Sequence, residues 1–331
     1  MPSPSKDSGP SLASLFDSVR GEFDALNRLI PTLLTSDVAL VEEIGRYVVE
    51  AGGKRLRPLV VLLCGRACGA EGPRLVELAA VIELLHTATL LHDDVIDESM
   101  LRRGRATANA HWGNAPSVLV GDYLYSRAFQ LMAGLDDNGI LRTLADATNV
   151  IAAGEVEQLA QIGNTALDES QYLQVIRAKT AVLFEAAATT AGILGRADGE
   201  RIAALTAYGL SLGTAYQLID DALDYDGDVA ALGKNVGDDL AEGKLTLPLI
   251  YTLAHGSEDD RVAVRAAVAG RDRAQLDAVV CAVRRSGALT YTRGQAAVYA
   301  DRAIASANAL PASRYRTAMT DLANLTIRRA F

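Results

Sequence analysis

The sequence predicts an all-α fold, a single large helical bundle, and three observations lead there. Half of the residues are hydrophobic while aromatics supply only 5%. No proline occurs between Pro116 and Pro248, and no run alternates polar with apolar residues long enough to support a sheet. A chain of 331 residues has room for two domains, but no linker-like stretch follows residue 11. The expected organisation is a disordered leader over 1–11 and one domain over 12–331. The leader is polar and rich in Pro and Ser, without the apolar segment of a signal peptide.

Taken in order, helices are expected over 12–33 and from Asp37, a good N-cap residue, to Glu50. Ala51-Gly52-Gly53-Lys54-Arg55-Leu56-Arg57-Pro58 then joins loop-forming glycines to three cations, and Pro58 suits the first turn of a helix that continues through Cys68. After a loop over 69–73, the run 75–93 is apolar nearly all round, interrupted by Glu77, Glu83 and His86. A helix of that kind is buried. A basic, irregular loop is expected over 100–116, then helices over 117–135, 141–161, 169–194 and 200–225. Gly227 to Gly243 reads as a loop carrying glycine and lysine. Beyond Pro248, Leu276, Val279, Val280 and Val283 recur at helical spacing.

Composition excludes some partners. A net charge of -9 argues against nucleic acid, whose phosphates are bound by basic surfaces, so any phosphate site must be local. Cys64, Cys68 and Cys281 are an odd set without zinc spacing, expected to be buried reduced thiols. The longest charge-free run, 202–219, contains Gly, Ser, Thr and Gln and leads directly into Asp220, which suits a core helix better than a membrane span.

The chemistry is concentrated in two acidic patterns, Asp93-Asp94-Val95-Ile96-Asp97 and Asp220-Asp221-Ala222-Leu223-Asp224. On a helix the first and last Asp of each pattern share a face. Carboxylates so close, in surroundings so apolar, need a cation to compensate them. Magnesium fits, because it takes oxygen ligands from one or two carboxylates together with substrate phosphates. Cations gather nearby: Lys54 and Arg57 in the glycine-rich loop, Arg102 and Arg103 just past Asp97, then Lys179-Thr180, Lys234 and Lys244. Arginine suits bidentate phosphate binding and lysine supplies a point charge. Phosphate-loop alternatives fail, since five residues rather than four separate Gly227 from Gly233-Lys234, and Asn235 stands where Ser or Thr should follow. His86 lies two turns before Asp93 on the same face and can reach the same cavity, whereas His92 reads as a core or supporting residue.

In order, Gly52-Gly53-Lys54-Arg55-Leu56-Arg57-Pro58, Leu91-His92-Asp93-Asp94-Val95-Ile96-Asp97, Arg102-Arg103-Gly104, Gly154-Glu155, Lys179-Thr180, Gln217-Leu218-Ile219-Asp220-Asp221-Ala222-Leu223-Asp224, Gly233-Lys234 and Gly237-Asp238-Asp239-Leu240 resemble the motifs of trans-isoprenyl diphosphate synthases. The stretch 86–135 is most similar to the bacterial octaprenyl members. The resemblance implies helices around a central cavity, a homodimer, and a cytoplasmic enzyme that touches the membrane transiently to release product. It implies an allylic diphosphate such as farnesyl diphosphate, held through about three Mg2+ ions (Mn2+ also serving) on Asp93, Asp97, Asp220 and Asp224, with Asp94 in the same motif and with help from Arg102, Lys179, Gln217, Lys234 and Lys244. Isopentenyl diphosphate would sit on Lys54, Arg57, His86 and Arg103, while Thr180 and Gln217 face the allylic cation. Small residues at Ala88 and Thr89 leave room for a long product of about eight isoprene units, a quinone side-chain precursor, with Met132 as the expected floor and Phe129 and Leu144 as further candidates. The rival readings are a terpene cyclase or head-to-head condensing enzyme, which the isopentenyl cations count against, and the non-catalytic subunit of a two-component synthase, which the intact acidic motifs count against.

Overall fold

The computed structural model describes residues 11–226, 237–271 and 273–328. Ser11, placed by sequence at the end of a leader, caps the first helix: its hydroxyl accepts from Ser14 N–H, and Ser14 answers in a capping box. The expected helix over 12–33 is two, α1 (Leu12–Asp17) and α2 (Arg20–Leu33). The Ser18 hydroxyl turns back to Leu15 O at 2.6 Å, and Val19 leaves helical space with φ −130° to bury its side chain. Helix α3 (Ala39–Glu50) starts after Val38 rather than Asp37, with no side-chain cap.

Helix α4 (Leu56–Ala67) follows Arg55, whose φ of 47° is left-handed. Helix α5 (Pro73–Ile96) opens with proline at its first position and is buried on every side over most of its length, as an all-round apolar sequence requires. Where an irregular loop was expected there is a hairpin, Leu101–Arg102 (β1) against Arg105–Ala106 (β2), and a short helix α6 (Ala108–Trp112). The two linking residues, Arg103 and Gly104, both have positive φ (54° and 74°), the signature of a type I′ turn. This hairpin is the only sheet among the described residues.

Helices α7 (Asn114–Gly134), α8 (Asn138–Ala160) and α9 (Glu169–Ile176) follow. The expected helix 169–194 is interrupted by a π-helical turn, Arg177–Ala181, before α10 (Val182–Leu194). The long α11 (Gly199–Asp226) carries the second acidic pattern. After α12 (Asp238–Ala241) come α13 (Leu247–His255), α14 (Glu258–Gly270), α15 (Leu276–Arg285), α16 (Ala288–Asn308) and α17 (Arg314–Ile327).

Two apolar clusters hold these helices. One joins α2, α4, α5, α7, α8 and α10 to the first half of α11 and to α17. The other packs α9 and the second half of α11 against α13–α16, which gives the C-terminal third its role: it backs the helix bearing the second motif. At roughly 1.5–3 kcal/mol per buried large apolar side chain, these clusters fix α5 and α11 firmly enough to aim carboxylates. Two glycines let α11 approach its neighbours. A Cβ on Gly209 would lie 2.3 Å from Phe184 O, and one on Gly213 2.7 Å from Ala181 Cα. Both α5 and α11 are long and apolar enough to cross a membrane, but 72% and 56% of their most apolar windows are buried inside the protein. All three cysteines are free; Cys64 is buried as expected, whereas Cys281 is exposed.

Candidate active site

The first acidic motif ends α5, and its three carboxylates take different directions. Asp94 is buried and accepts from the Arg102 guanidinium at 2.7 Å, so it orients Arg102 rather than facing open space. Burial raises the Asp94 carboxyl against the pull of Arg102. Asp93 keeps Oδ1 sealed from solvent without a hydrogen-bond partner, and it is pushed up to about 6 by burial, with Lys179 opposing and Glu155 and Asp97 adding to the rise. Asp97 accepts from Lys244 Nζ at 2.9 Å. His92 takes no part in this cluster. Its Nε2 lies 3.2 Å from Val118 O and so close to Gly121 that a Cβ there would sit 2.3 Å away, which makes it a wedge between α5 and α7.

The type I′ turn explains how two adjacent arginines serve different places. Arg102 returns to Asp94, while the Arg103 guanidinium lies over Gly53, where a Cβ would meet it at 2.8 Å. Arg103 thus joins the glycine-rich loop. Within that loop Arg55 pairs with buried Glu83 at 2.5 Å, and a small pocket is lined by Arg55, Glu83, Thr87 and Arg103. Arg57 NH1 lies 3.2 Å from His86 Nε2 and its guanidinium stacks over Phe184. Burial, then Arg57 and Arg103, push His86 well below its ordinary value, so its imidazole is neutral, accepts at Nε2 and leaves Nδ1–H to donate. Lys54 is exposed beside this group.

The second motif faces a cleft whose walls include Gln158, Tyr172, Lys179, Thr180, Gln217, Asp221, Asp239 and Lys244. Lys179 and Thr180 sit on the π turn. Gly154 permits this, since a Cβ there would lie 2.7 Å from the Ala178 Cβ; turns of this kind re-aim side chains at functional sites. Lys179 Nζ donates to Glu155 Oε2 at 2.7 Å and Gln158 Oε1 at 2.9 Å. Thr180 donates to Gln217 Oε1 at 2.8 Å, Gln217 Nε2 donates to Asp221 Oδ1 at 2.7 Å, and the Tyr172 hydroxyl donates to Asp221 Oδ2. Asp221 is pushed up to about 8, chiefly by burial and then by Asp239.

The segment after α12 closes the cleft. Lys244 lies between Asp97 and Glu242, 2.6 Å from the latter; burial disfavours its charge, but Asp97, Glu242 and Asp239 outweigh that and raise it. Glu242 is pushed up to about 7, chiefly by burial. Asp224, expected among the metal ligands, is fully buried, and its Oδ2 accepts from the Asp239 N–H at 3.3 Å. Among the second motif's carboxylates it is Asp221 that lines the cleft; Asp220 is half-buried on α11. Lys234 lies outside the described residues.

Asp93 supplies a test of metal fit: a carboxylate oxygen sealed off without a donor is what a hard cation would complete. Among the described residues no three His, Cys, Asp or Glu side chains converge as a ready-made chelate. Ala88, Met132 and Leu144 are fully buried, and Thr89 turns its hydroxyl back to His86 O at 2.9 Å; none of the four, nor Phe129, lines the cleft. Sequence reasoning passed over Tyr172 and Glu242, which stand singly in their segments and offer no spacing to read, and it named Glu155 only within a motif and Glu83 only as an interruption of an apolar run, without a role for either.

A family model described as "Polyprenyl synthetase" matches residues 38–285. The chain is 49% identical over 305 residues to "Octaprenyl diphosphate synthase" of Escherichia coli (strain K12), covering 92% of this chain and 94% of that protein. It is 45% identical over 312 residues to the geranyl-diphosphate-specific "All-trans-nonaprenyl-diphosphate synthase" of Rhodobacter capsulatus, covering 94% and 96%. The crystal structure of a polyprenyl synthase from Caulobacter crescentus CB15, complexed with calcium and isoprenyl diphosphate, superposes with a TM-score of 0.94 at 42% identity, covering 99% of this chain and 100% of that one.

Proposed function

The chain belongs to the polyprenyl synthetase family as a prenyltransferase of the long-chain trans-polyprenyl class, and on that footing we propose the substrates, site and product of its reaction. It extends an allylic diphosphate, farnesyl diphosphate, with isopentenyl diphosphate units to about octaprenyl length, as one catalytic domain over 12–331 supplying a quinone side-chain precursor. The observation that carries this reading is a single cleft lined by Lys179, Lys244, Gln217 and Asp221, with Asp97 tied into it through Lys244.

Asp93, Asp97 and Asp220 would hold about three magnesium ions together with the allylic diphosphate, and these ions would neutralise its oxygens. The allylic C–O bond breaks with its electron pair going to the diphosphate, and Lys179, Lys244 and Arg102 bind the charge that develops there. Thr180, its proton held by the Gln217 amide oxygen, turns its own oxygen toward the resulting cation. Lys54, Arg57 and Arg103 grip the isopentenyl diphosphate, and His86 adds an Nδ1–H donor. The isopentenyl double bond supplies the electron pair of the new C–C bond, and one proton leaves to a diphosphate oxygen, giving a chain longer by five carbons and free diphosphate. The protein works as a cytoplasmic homodimer that meets the membrane when it releases product. The purified chain incubated with labelled isopentenyl diphosphate, farnesyl diphosphate and magnesium should yield a long polyprenyl diphosphate. Excess chelator, or Asp220→Ala, should reduce turnover by at least about two orders of magnitude; unchanged turnover in either case would refute the assignment.

A further inference from the structure

We propose that Tyr172 is a positioning residue for prenyl transfer: acting through Asp221 and Gln217, its hydroxyl fixes Thr180 so that oxygen lone pairs, rather than a hydrogen, face the cleft. This deepens, and rests on, the reading of the cleft as an allylic diphosphate site. Four side chains from α9, the π turn and α11 form one unbranched chain. Tyr172 donates to Asp221 Oδ2, Gln217 Nε2 donates to Asp221 Oδ1 at 2.7 Å, and Thr180 Oγ1 donates to Gln217 Oε1 at 2.8 Å.

The polarity of the chain is set at the Asp221 end. A carboxylate only accepts, so the Gln217 amide must turn its nitrogen toward Asp221 and its oxygen toward Thr180. The Thr180 hydroxyl then commits its single proton to Gln217, and both of its lone pairs are left for the cleft. A proton on Asp221 Oδ2 would reverse only the bond to Tyr172, whose hydroxyl oxygen would then accept, and would leave Oδ1 an acceptor for Gln217 and the rest of the chain as it is. An oxygen held this way presents its negative end to a developing cation with no reorganisation during the reaction, which is where fixed dipoles are most effective. A freely rotating hydroxyl would present its hydrogen part of the time.

Tyr172 matters because Asp221 is almost fully buried, at 2% exposure. Without the phenolic donor, Oδ2 loses a partner it cannot replace from water, and the carboxylate gains freedom to rotate away from Gln217. Tyr172 is itself only 3% exposed, and Tyr172→Phe removes one oxygen while keeping the ring that fills the space, so the variant is expected to fold; a melting curve checks this.

The experiment uses the full chain. Wild type must first convert farnesyl and isopentenyl diphosphates to product; failure there overturns the proposed function rather than this inference. Tyr172→Phe should then lower kcat about tenfold while both KM values stay within about twofold. It should weaken binding of an ammonium-bearing allylic diphosphate analogue, a mimic of the cation, about tenfold, and leave an uncharged unreactive analogue unaffected. The loss should vanish in a Thr180→Val background, because Tyr172 acts through Thr180. Wild-type kcat in Tyr172→Phe, equal weakening of both analogues, or losses that multiply in the double variant would each overturn it.

Discussion

Replacing Asp93 with asparagine separates what the first acidic motif costs the fold from what it contributes to the reaction. One oxygen of Asp93 is sealed without a donor, and the carboxyl moves from an ordinary 3.8 to about 6, first through burial. Because the folded value lies above the unfolded one, the stabilisation from this group is complete below about pH 4 and is lost as pH rises through about 6. A shift of that size corresponds to at most about 3 kcal/mol at pH 8, and the partial exposure of the residue reduces it to about 1–2 kcal/mol. Asparagine is nearly isosteric and neutral at every pH. In chelator at about pH 8, Asp93→Asn should therefore melt a few degrees above wild type, and at about pH 4 the difference should disappear. Turnover with magnesium should fall by at least about two orders of magnitude. Thermal denaturation at the two pH values and a prenyl-transfer assay read both effects. A variant less stable than wild type at pH 8, or equally stabilised at both pH values, would refute the electrostatic reasoning, and retained turnover would refute the placement of Asp93 in the site.

Two further outcomes follow from the geometry and a third from the sequence alone. Arg103→Ala should mainly raise the KM for isopentenyl diphosphate and Lys179→Ala mainly impair the allylic substrate, as steady-state kinetics with each substrate varied would show; equal effects on both would end the two-site assignment. Gly53→Ala puts a Cβ 2.8 Å from the Arg103 guanidinium, a flexible side-chain end that can shift, so the isopentenyl KM should rise severalfold with little change in melting temperature, and an unchanged KM would show that Arg103 is not held by this contact. Ala88→Phe should shorten the product to about farnesyl or geranylgeranyl size and Met132→Ala should lengthen it, read by mass analysis; wild-type lengths in Ala88→Phe would show that the growing chain does not run along α5.

The two acidic motifs were legible because carboxylates in apolar runs break a pattern that folding otherwise enforces. For the same reason the buried α5 and α11 could be placed from sequence. The π turn could not, because it depends on tertiary contact: Gly154 and Gly213 let neighbouring helices close on 177–181, and nothing local in Arg177–Ala181 distinguishes it from ordinary helix. The hairpin carrying Arg102 and Arg103 was hidden by its length, two residues per strand, too short for alternation to register. Asp224 shares a helical face with Asp220, but spacing does not say how deep that face lies, and the structure buries Asp224 fully. The roles of the supporting carboxylates Glu83 and Glu155 were hardest to see, since each is defined by a cation distant in sequence.

The ion pairs along these walls, Arg102 with Asp94, Lys179 with Glu155, and Lys244 with Asp97 and Glu242, commit each of these cations to a carboxylate, so the resting lining carries no excess of positive charge. A bare anion such as inorganic phosphate or an uncomplexed nucleotide meets little net attraction there, and to bind it must pull a cation from its carboxylate and leave that carboxylate buried and alone. A diphosphate that arrives with divalent ions brings both signs at once and re-partners both halves of each pair. The lining therefore acts as a filter for composite ligands, excluding simple anions by the cost of disrupting its internal pairing.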